Sequence, residues 1–73
     1  MSNQEHKDPL HGKTLQFILE ALVAHFGWKT LGVKIPIQCF RNDPTIKSSL
    51  KFLRRTEWAR KKVESLYIEM INA

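Results

Sequence analysis

The sequence predicts an all-α fold: a compact four-helix domain with three main helices, a short second helix and a disordered N-terminal arm. Apolar residues recur at three- and four-residue intervals in three stretches, which is the spacing of one face of an α-helix. Each stretch also follows a residue that can cap a helix. A chain of 73 residues has room for one domain, which we place at residues 14–73. Residues 1–13 are polar and aperiodic, so they are expected to form a flexible arm.

The first helix is marked at both ends. Thr14 is placed to cap it, and Gly27 suits a left-handed exit. Between them, the apolar residues at helical spacing are Leu15, Ile18, Leu19, Leu22, Val23 and Phe26. A weaker apolar line on the opposite side consists of Phe17, Ala21 and Ala24. This second line is available to pack on a later element or on a second copy of the protein.

A short second helix is expected at residues 28–31, ended by Gly32. Residues 33–40 then form an ordered connector, because Pro36 argues against a central strand. Within the connector, Cys39 is expected to face inward as a small buried thiol. A single cysteine cannot form an intrachain disulfide, which favours a reducing compartment.

The third helix is expected to begin at Asp43 and Pro44. The carboxylate can accept a backbone hydrogen bond, and proline presets the first helical angle. The helix should run to about Arg55. Its buried stripe consists of Ile46, Leu50 and Leu53. A cationic stripe, about 100° further round the axis, consists of Lys47, Lys51 and Arg54.

Thr56 separates the third helix from a fourth and is placed to cap it. Glu57 follows in the first turn, where a carboxylate is favourable near the positive end of the helix dipole. The fourth helix should continue to around Ile71. Its inner side consists of Ala59, Val63, Leu66 and Met70, flanked by Tyr67. One residue between two helices forces a tight corner, which is expected to gather the basic residues on either side of it.

The positive charge of the chain is concentrated in one region. The formal net charge is +5, from 12 Lys and Arg against 7 Asp and Glu. Residues 47–62 hold seven of the bases and only one acid, Glu57, whereas the rest of the chain is nearly balanced. A concentrated surplus of this kind is typical of a protein that binds a polyanion, and nucleic acid is the commonest such partner.

The cationic stripe and its neighbours are the candidate contacts. The stripe spans roughly 10 Å of helix axis, and each DNA strand offers one phosphate per about 3.4 Å. We expect the first-tier contacts to be Lys47, Lys51, Arg54 and Arg55. Second-tier and flanking candidates are Arg60, Lys61, Lys62, Lys29, Lys34, Arg41 and the hydroxyl of Ser48. The plain alternative is a solvated face that keeps the protein soluble, but the scarcity of interspersed acids weakens it.

Other classes of function find little support in the sequence. There is no glycine-rich phosphate loop and no metal-ligand spacing, and Cys39 has no evident histidine partner, so we expect no enzymatic activity, metal, cofactor or small-molecule substrate. Trp28 and Trp58 are expected to anchor the core rather than stack on bases. No signal peptide or membrane span is visible, which favours a cytoplasmic protein that does not engage membranes.

A resemblance to a known family adds to this interpretation. The segments LHG, TL, GW, LG and CF, and above all PTIKSSLKFLRRTEWARKKVESLY, resemble a family of small bacterial proteins first described as a domain of unknown function. That family is a four-helix double-stranded-DNA-binding domain, with similarity to the C-terminal DNA-binding region of RecA. The resemblance covers about residues 10–67. It implies a four-helix fold and duplex DNA binding, but it supplies no contact map.

The sequence therefore predicts non-catalytic, largely sequence-independent binding of double-stranded DNA through a basic face on the third and fourth helices. One alternative is a protein-interaction module, with either an acidic partner or a homodimer that uses the line of Phe17, Ala21 and Ala24. Another is RNA binding, because a face that contacts phosphates discriminates poorly between duplexes. A monomer is favoured, although the sequence does not fix the oligomeric state.

Overall fold

The computed structural model describes residues 12–72, and this part of the chain forms four helices and no strand. The helices are α1 (Leu15–Lys34), α2 (Gln38–Arg41), α3 (Ile46–Arg55) and α4 (Glu57–Ile71). The predicted fold class, all-α with three main helices and one short helix, is confirmed. The arm predicted for residues 1–13 lies almost entirely outside the described residues.

Helix α1 begins as predicted and is kinked at Gly27. The hydroxyl oxygen of Thr14 accepts a hydrogen bond from the backbone N–H of Phe17 at 3.0 Å, which satisfies one of the free amides of the first turn. At Gly27 the backbone has φ 80° and ψ 158°, a combination that is essentially restricted to glycine. The glycine therefore divides α1 into two helical segments that meet at an angle.

The end of the second segment was predicted wrongly. Residues 28–31 are helical as expected, but the helix continues through Gly32 to Lys34. A separate helical turn, α2, then lies within the predicted connector. Gly32 is buried, and a Cβ atom added there would lie 3.0 Å from Cγ of Arg41. This glycine thus allows α2 to pack closely on α1, which is a long-range role and not a helix-ending one.

The start of α3 also differs from the prediction. Thr45, and not Asp43, is the capping residue, and its hydroxyl oxygen accepts a hydrogen bond from the backbone N–H of Ser48 at 3.0 Å. Asp43 has φ 48°, in the left-handed region that Asp tolerates better than most residues. It therefore turns the chain just before the helix instead of capping it.

A single core lies between the helices. Its fully buried side chains come from every helix and include Leu19, Leu22, Leu31, Phe40, Leu53 and Val63. Each buried Leu contributes about 1.5–3 kcal/mol relative to an exposed one. Ser49 is also completely buried, and its hydroxyl donates to the backbone carbonyl of Cys39 at 3.3 Å. This bond joins α3 to α2 and fixes which face of α3 points outward.

Candidate nucleic-acid interface

Helix α3 separates its apolar and basic residues onto adjoining faces. Leu50 and Leu53 are buried in the core, as predicted. The three residues of the cationic stripe are all exposed: Lys47, Lys51 and Arg54. Arg55 is also exposed and follows Lys51 by four residues, so it extends the same face by another turn. The first-tier candidates are therefore brought together on one exposed helix face.

The side chains of this face enclose a shallow hollow. The hollow is lined by Thr45, Lys47, Ser48, Lys51, Arg54 and Arg55. All six belong to α3 or its cap, so the hollow lies between the long basic side chains of one helix. A row of cations with space between them suits contact with a row of phosphates, since each ammonium or guanidinium can approach a separate anion.

The hydroxyl of Ser48 is already engaged in the cap of α3. The Thr45 hydroxyl donates to Oγ of Ser48 at 2.9 Å, and Ser48 Oγ donates in turn to the Thr45 carbonyl at 3.3 Å. The predicted phosphate contact of Ser48 would therefore compete with a local hydrogen bond. Its main role in this structure is to hold the first turn of α3, which carries Lys47.

The basic residues of α3 form no ion pair with a carboxylate among residues 12–72. Within that range the structure shows one salt bridge, between Lys61 and Glu57 of α4, with an N···O distance of 3.8 Å. Both side chains are about two-thirds exposed, at 67% and 70%, so this pair contributes at most about 1 kcal/mol. The charges of the cationic stripe consequently remain available to an external anion.

Arg60, a predicted second-tier contact, forms a hydrogen bond within the protein. It is partly buried, and its guanidinium donates a hydrogen bond to the backbone carbonyl of Leu53 at 3.4 Å. The backbone N–H of Thr56 donates to the same carbonyl at 3.3 Å. A basic side chain that bonds to a carbonyl at the carboxyl end of a helix stabilises that end. Arg60 therefore fastens the corner between α3 and α4.

The other second-tier lysines lie apart from the stripe. Lys61 and Lys62 are exposed on α4, and together with Lys34 from the end of α1 they line a separate depression that also contains Glu69. The ammonium of Lys34 lies 5.2 Å from the ring centroid of Phe26, which is within cation–π distance. These three lysines form a second basic cluster with a carboxylate in it.

The remaining flanking candidates meet in a third place, which we call the Trp28 groove. Its lining includes Trp28, Lys29, Val33, Pro36, Arg41 and Pro44. No residue of the cationic stripe lines this groove. The first-tier candidates thus lie on α3, whereas the second-tier and flanking lysines and Arg41 line two other depressions.

The aromatic residues were predicted with mixed success. Trp28 is partly buried against Phe40, with ring centroids 5.8 Å apart, and so serves the core as expected. Trp58 does not: its side chain is 55% exposed in the first turn of α4. Phe17, on the apolar line proposed for a dimer, is 47% exposed, and its ring meets Tyr67 edge-on at 6.4 Å.

Residues 12–72 offer no other evident chemical centre. In this range no three His, Cys, Asp or Glu side chains are grouped so that they could hold a metal ion. Burial raises the pKa of the Cys39 thiol above its ordinary value, so the thiol stays protonated near neutral pH. None of the helices in the same part of the chain is long and apolar enough to cross a membrane.

Comparison with known proteins identifies the family of the chain. No curated protein matches the chain. A family model described as DNA-binding protein VF530 matches residues 6–68, which include all of α1, α2 and α3 and most of α4. The predicted resemblance to a family of small DNA-binding proteins is confirmed in this respect, whereas the similarity to RecA stays a prediction. The chain belongs to the DNA-binding protein VF530 family.

Proposed function

We propose that this protein binds double-stranded DNA without catalysis, through the phosphates, by means of the cationic stripe and Arg55 on α3. Membership of a DNA-binding family supports DNA as the partner. The observation that carries the choice of surface is the exposed, uniformly basic face of α3, with no carboxylate paired to it among residues 12–72.

The dimensions of the face set the expected number of contacts. Lys47 and Arg54 lie seven residues apart, or roughly 10 Å along the helix axis. Phosphates follow each DNA strand at about 3.4 Å intervals, so the four first-tier side chains can reach about four phosphates. The cluster of Lys34, Lys61 and Lys62 adds long-range attraction, and one or two further contacts would bring the total to about six.

Sequence preference is expected to be low. Discrimination between base pairs usually combines Asn or Gln on adenine with Arg on guanine in the major groove, and α3 contains no Asn or Gln. The exposed face of α3 presents Lys, Arg and Ser, and the hydroxyl of Ser48 is engaged with Thr45. Lys and Arg that neutralise phosphates fix the position of the protein on the duplex but do not by themselves select a sequence.

The relief of charge repulsion gives DNA binding a physical advantage. Lys47 and Lys51 lie four residues apart on α3, where like charges destabilise a helix by a few tenths of a kcal/mol. Arg54 and Arg55 lie in the last turn, where the helix dipole partly compensates them. Phosphates placed over the stripe would remove the repulsion that remains, so binding and the stability of α3 should be coupled.

An NMR titration with a short duplex tests the proposal. Backbone amides of α3 should shift progressively as duplex DNA is added, and unrelated duplex sequences should give similar affinities. Duplex RNA and single-stranded DNA at the same ionic strength provide the comparison, and the single strand should bind more weakly because its lower charge density releases fewer counterions. Shifts confined to α1 or α4, or tighter binding of duplex RNA, would contradict the proposal.

A further inference from the structure

We propose that the Trp28 groove is a docking site for a short acidic peptide of a partner protein, with an apolar side chain of the peptide in the groove and its carboxylates on Lys29 and Arg41. The groove has a volume of about 670 Å³, within the range of sites that hold one or two side chains. This inference goes beyond DNA binding, and it does not depend on it.

The groove is built by packing between elements distant in sequence. Its apolar surface comes from Trp28, Val33, Pro36 and Pro44, which belong to α1, the connector and the approach to α3. Trp28 is held in place by its contact with Phe40. Proline rings and a packed indole change little in conformation, so the apolar surface is largely formed before a ligand arrives. The groove residues therefore lose little conformational entropy on binding.

Val33 is the most informative residue of this surface. It is a β-branched aliphatic residue with 77% of its surface exposed, in the last turn of α1. An exposed valine alone needs no explanation, but this one adjoins a concave apolar surface. An apolar ligand side chain would cover Val33 together with the two proline rings, and the removal of this apolar surface from water would favour binding.

The charges at the groove specify an acidic ligand. Lys29 and Arg41 are exposed, and neither forms a salt bridge with another residue of the range 12–72. No carboxylate of residues 12–72 lines the groove. The stem of Arg41 lies across the backbone of Gly32, where a Cβ atom would come within 3.0 Å of its Cγ. Two cations are thus held beside an apolar surface, which complements alternating acidic and apolar residues.

The lining favours a peptide over a nucleotide. An unpaired base in the groove would bury the donors and acceptors of its pairing edge, and a buried donor or acceptor left without a partner disfavours binding. Apart from the two cations, the side chains that line the groove are apolar. They can pack against a Leu or Phe side chain, whereas the side chains of the lining offer no acceptor for the N–H donors of a base edge.

Fluorescence anisotropy with a defined peptide tests the proposal. The probe is a fluorescein-labelled octapeptide that has a central Leu-Phe pair between Asp and Glu residues. Two comparison peptides replace the Leu-Phe pair by Ser-Ser, or the acids by Asn and Gln. Binding of the first should be weakened about fivefold to tenfold by either replacement, because the site needs both the apolar contact and the charges.

Protein variants with matched charge locate the site. Lys29→Gln with Arg41→Gln removes two charges from the groove, whereas Lys47→Gln with Lys51→Gln removes two from the cationic stripe. The first pair should weaken the peptide about fivefold to tenfold and the second less than about twofold. Val33→Asp, at an exposed position that leaves the core untouched, should weaken the peptide by a similar factor to the first pair.

Each remaining outcome counts against the proposal. The absence of binding at millimolar peptide would show that the groove does not bind this ligand. Equal loss of affinity in both pairs of variants, or full binding of the Ser-Ser peptide, would show that only the net charge of the protein attracts it. Binding of a short oligo(dT) that is lost in the groove variants but kept in the stripe variants would identify a nucleotide site instead. A duplex DNA titration of the same proteins reports separately on the proposed function.

Discussion

The hydroxyl of Thr45 and the backbone amide of Ser48 are joined by a hydrogen bond of 3.0 Å that sets the first turn of α3. The two hydroxyls are also in contact at 2.9 Å. The same turn carries Lys47, so the cap holds one end of the proposed DNA-binding face. A cap hydrogen bond of this type contributes about 1 kcal/mol to stability.

Thr45→Ala should therefore lower the free energy of unfolding by about 1 kcal/mol, or the melting temperature by roughly 4–8 °C for a domain of this size. Thr56→Ala is the matched control, because Thr56 occupies the cap position of α4 but its side chain makes no cap hydrogen bond. Thermal unfolding by circular dichroism measures both. Equal losses in the two variants would show that the Thr45 bond has no special role.

Arg60 and Arg55 should separate stability from binding. Arg60→Met keeps the apolar stem but removes the donor to the Leu53 carbonyl, so it should cost about 0.5–1.5 kcal/mol of stability. Arg55→Met removes the same charge from an exposed site and should leave stability within about 0.5 kcal/mol while weakening duplex DNA binding. Urea unfolding and a DNA titration of both variants provide the comparison. If Arg60→Met weakened DNA binding without loss of stability, while Arg55→Met lowered stability and left binding unchanged, Arg60 and not Arg55 would belong to the interface.

Gly27 is expected to be irreplaceable by an L-residue. Its φ of 80° and ψ of 158° lie in a region essentially restricted to glycine, so Gly27→Ala should cost about 1–3 kcal/mol. No neighbouring atom lies within 4 Å of a Cβ atom built at this position, so the penalty is conformational and not steric. A chemically synthesised chain with D-alanine at this position is the sharpest control, since D-residues favour positive φ. It should recover most of the loss.

Cys39 should react slowly with alkylating reagents. Burial raises the pKa of its thiol, and the reactive thiolate is therefore scarce in the folded protein at neutral pH. The rate of reaction with iodoacetamide, followed from pH 7 to pH 10, should reach half its maximum at a higher pH in the folded protein than in the urea-unfolded chain. A midpoint at or below that of the unfolded chain would contradict the protonated, partly buried thiol.

Local sequence patterns predicted the main helices and the face of α3 because these depend on nearby residues. The spacing of Leu50 and Leu53 and the hydroxyl of Thr14 act within one or two turns. The prediction that Asp43 begins α3 was wrong, since Asp and Thr both cap helices and the folded geometry selects Thr45.

The placement of several candidate site residues depends on contacts between segments that are distant in the sequence. Arg60 donates a hydrogen bond to a carbonyl seven residues earlier across a corner, and Lys29 and Arg41 line one groove because α2 packs on α1. Neither relationship follows from helical periodicity. Gly32 looked like a helix end because glycine often ends helices, whereas here its missing side chain makes room for Arg41. The roles of Arg60 and Gly32 therefore depend on contacts between distant segments, which local sequence patterns do not predict.

The most direct test of the central claim is the salt dependence of duplex DNA affinity in the stripe and groove variants. For about four to six phosphate contacts, log affinity should fall with log salt at a slope of about −4 to −5, measured between about 50 and 200 mM. Lys47→Gln with Lys51→Gln should reduce the magnitude of this slope by about 2, because two contacts are lost. Lys29→Gln with Arg41→Gln should change it by less than about 1. A flat wild-type slope, or equal reductions in both pairs, would contradict binding centred on α3.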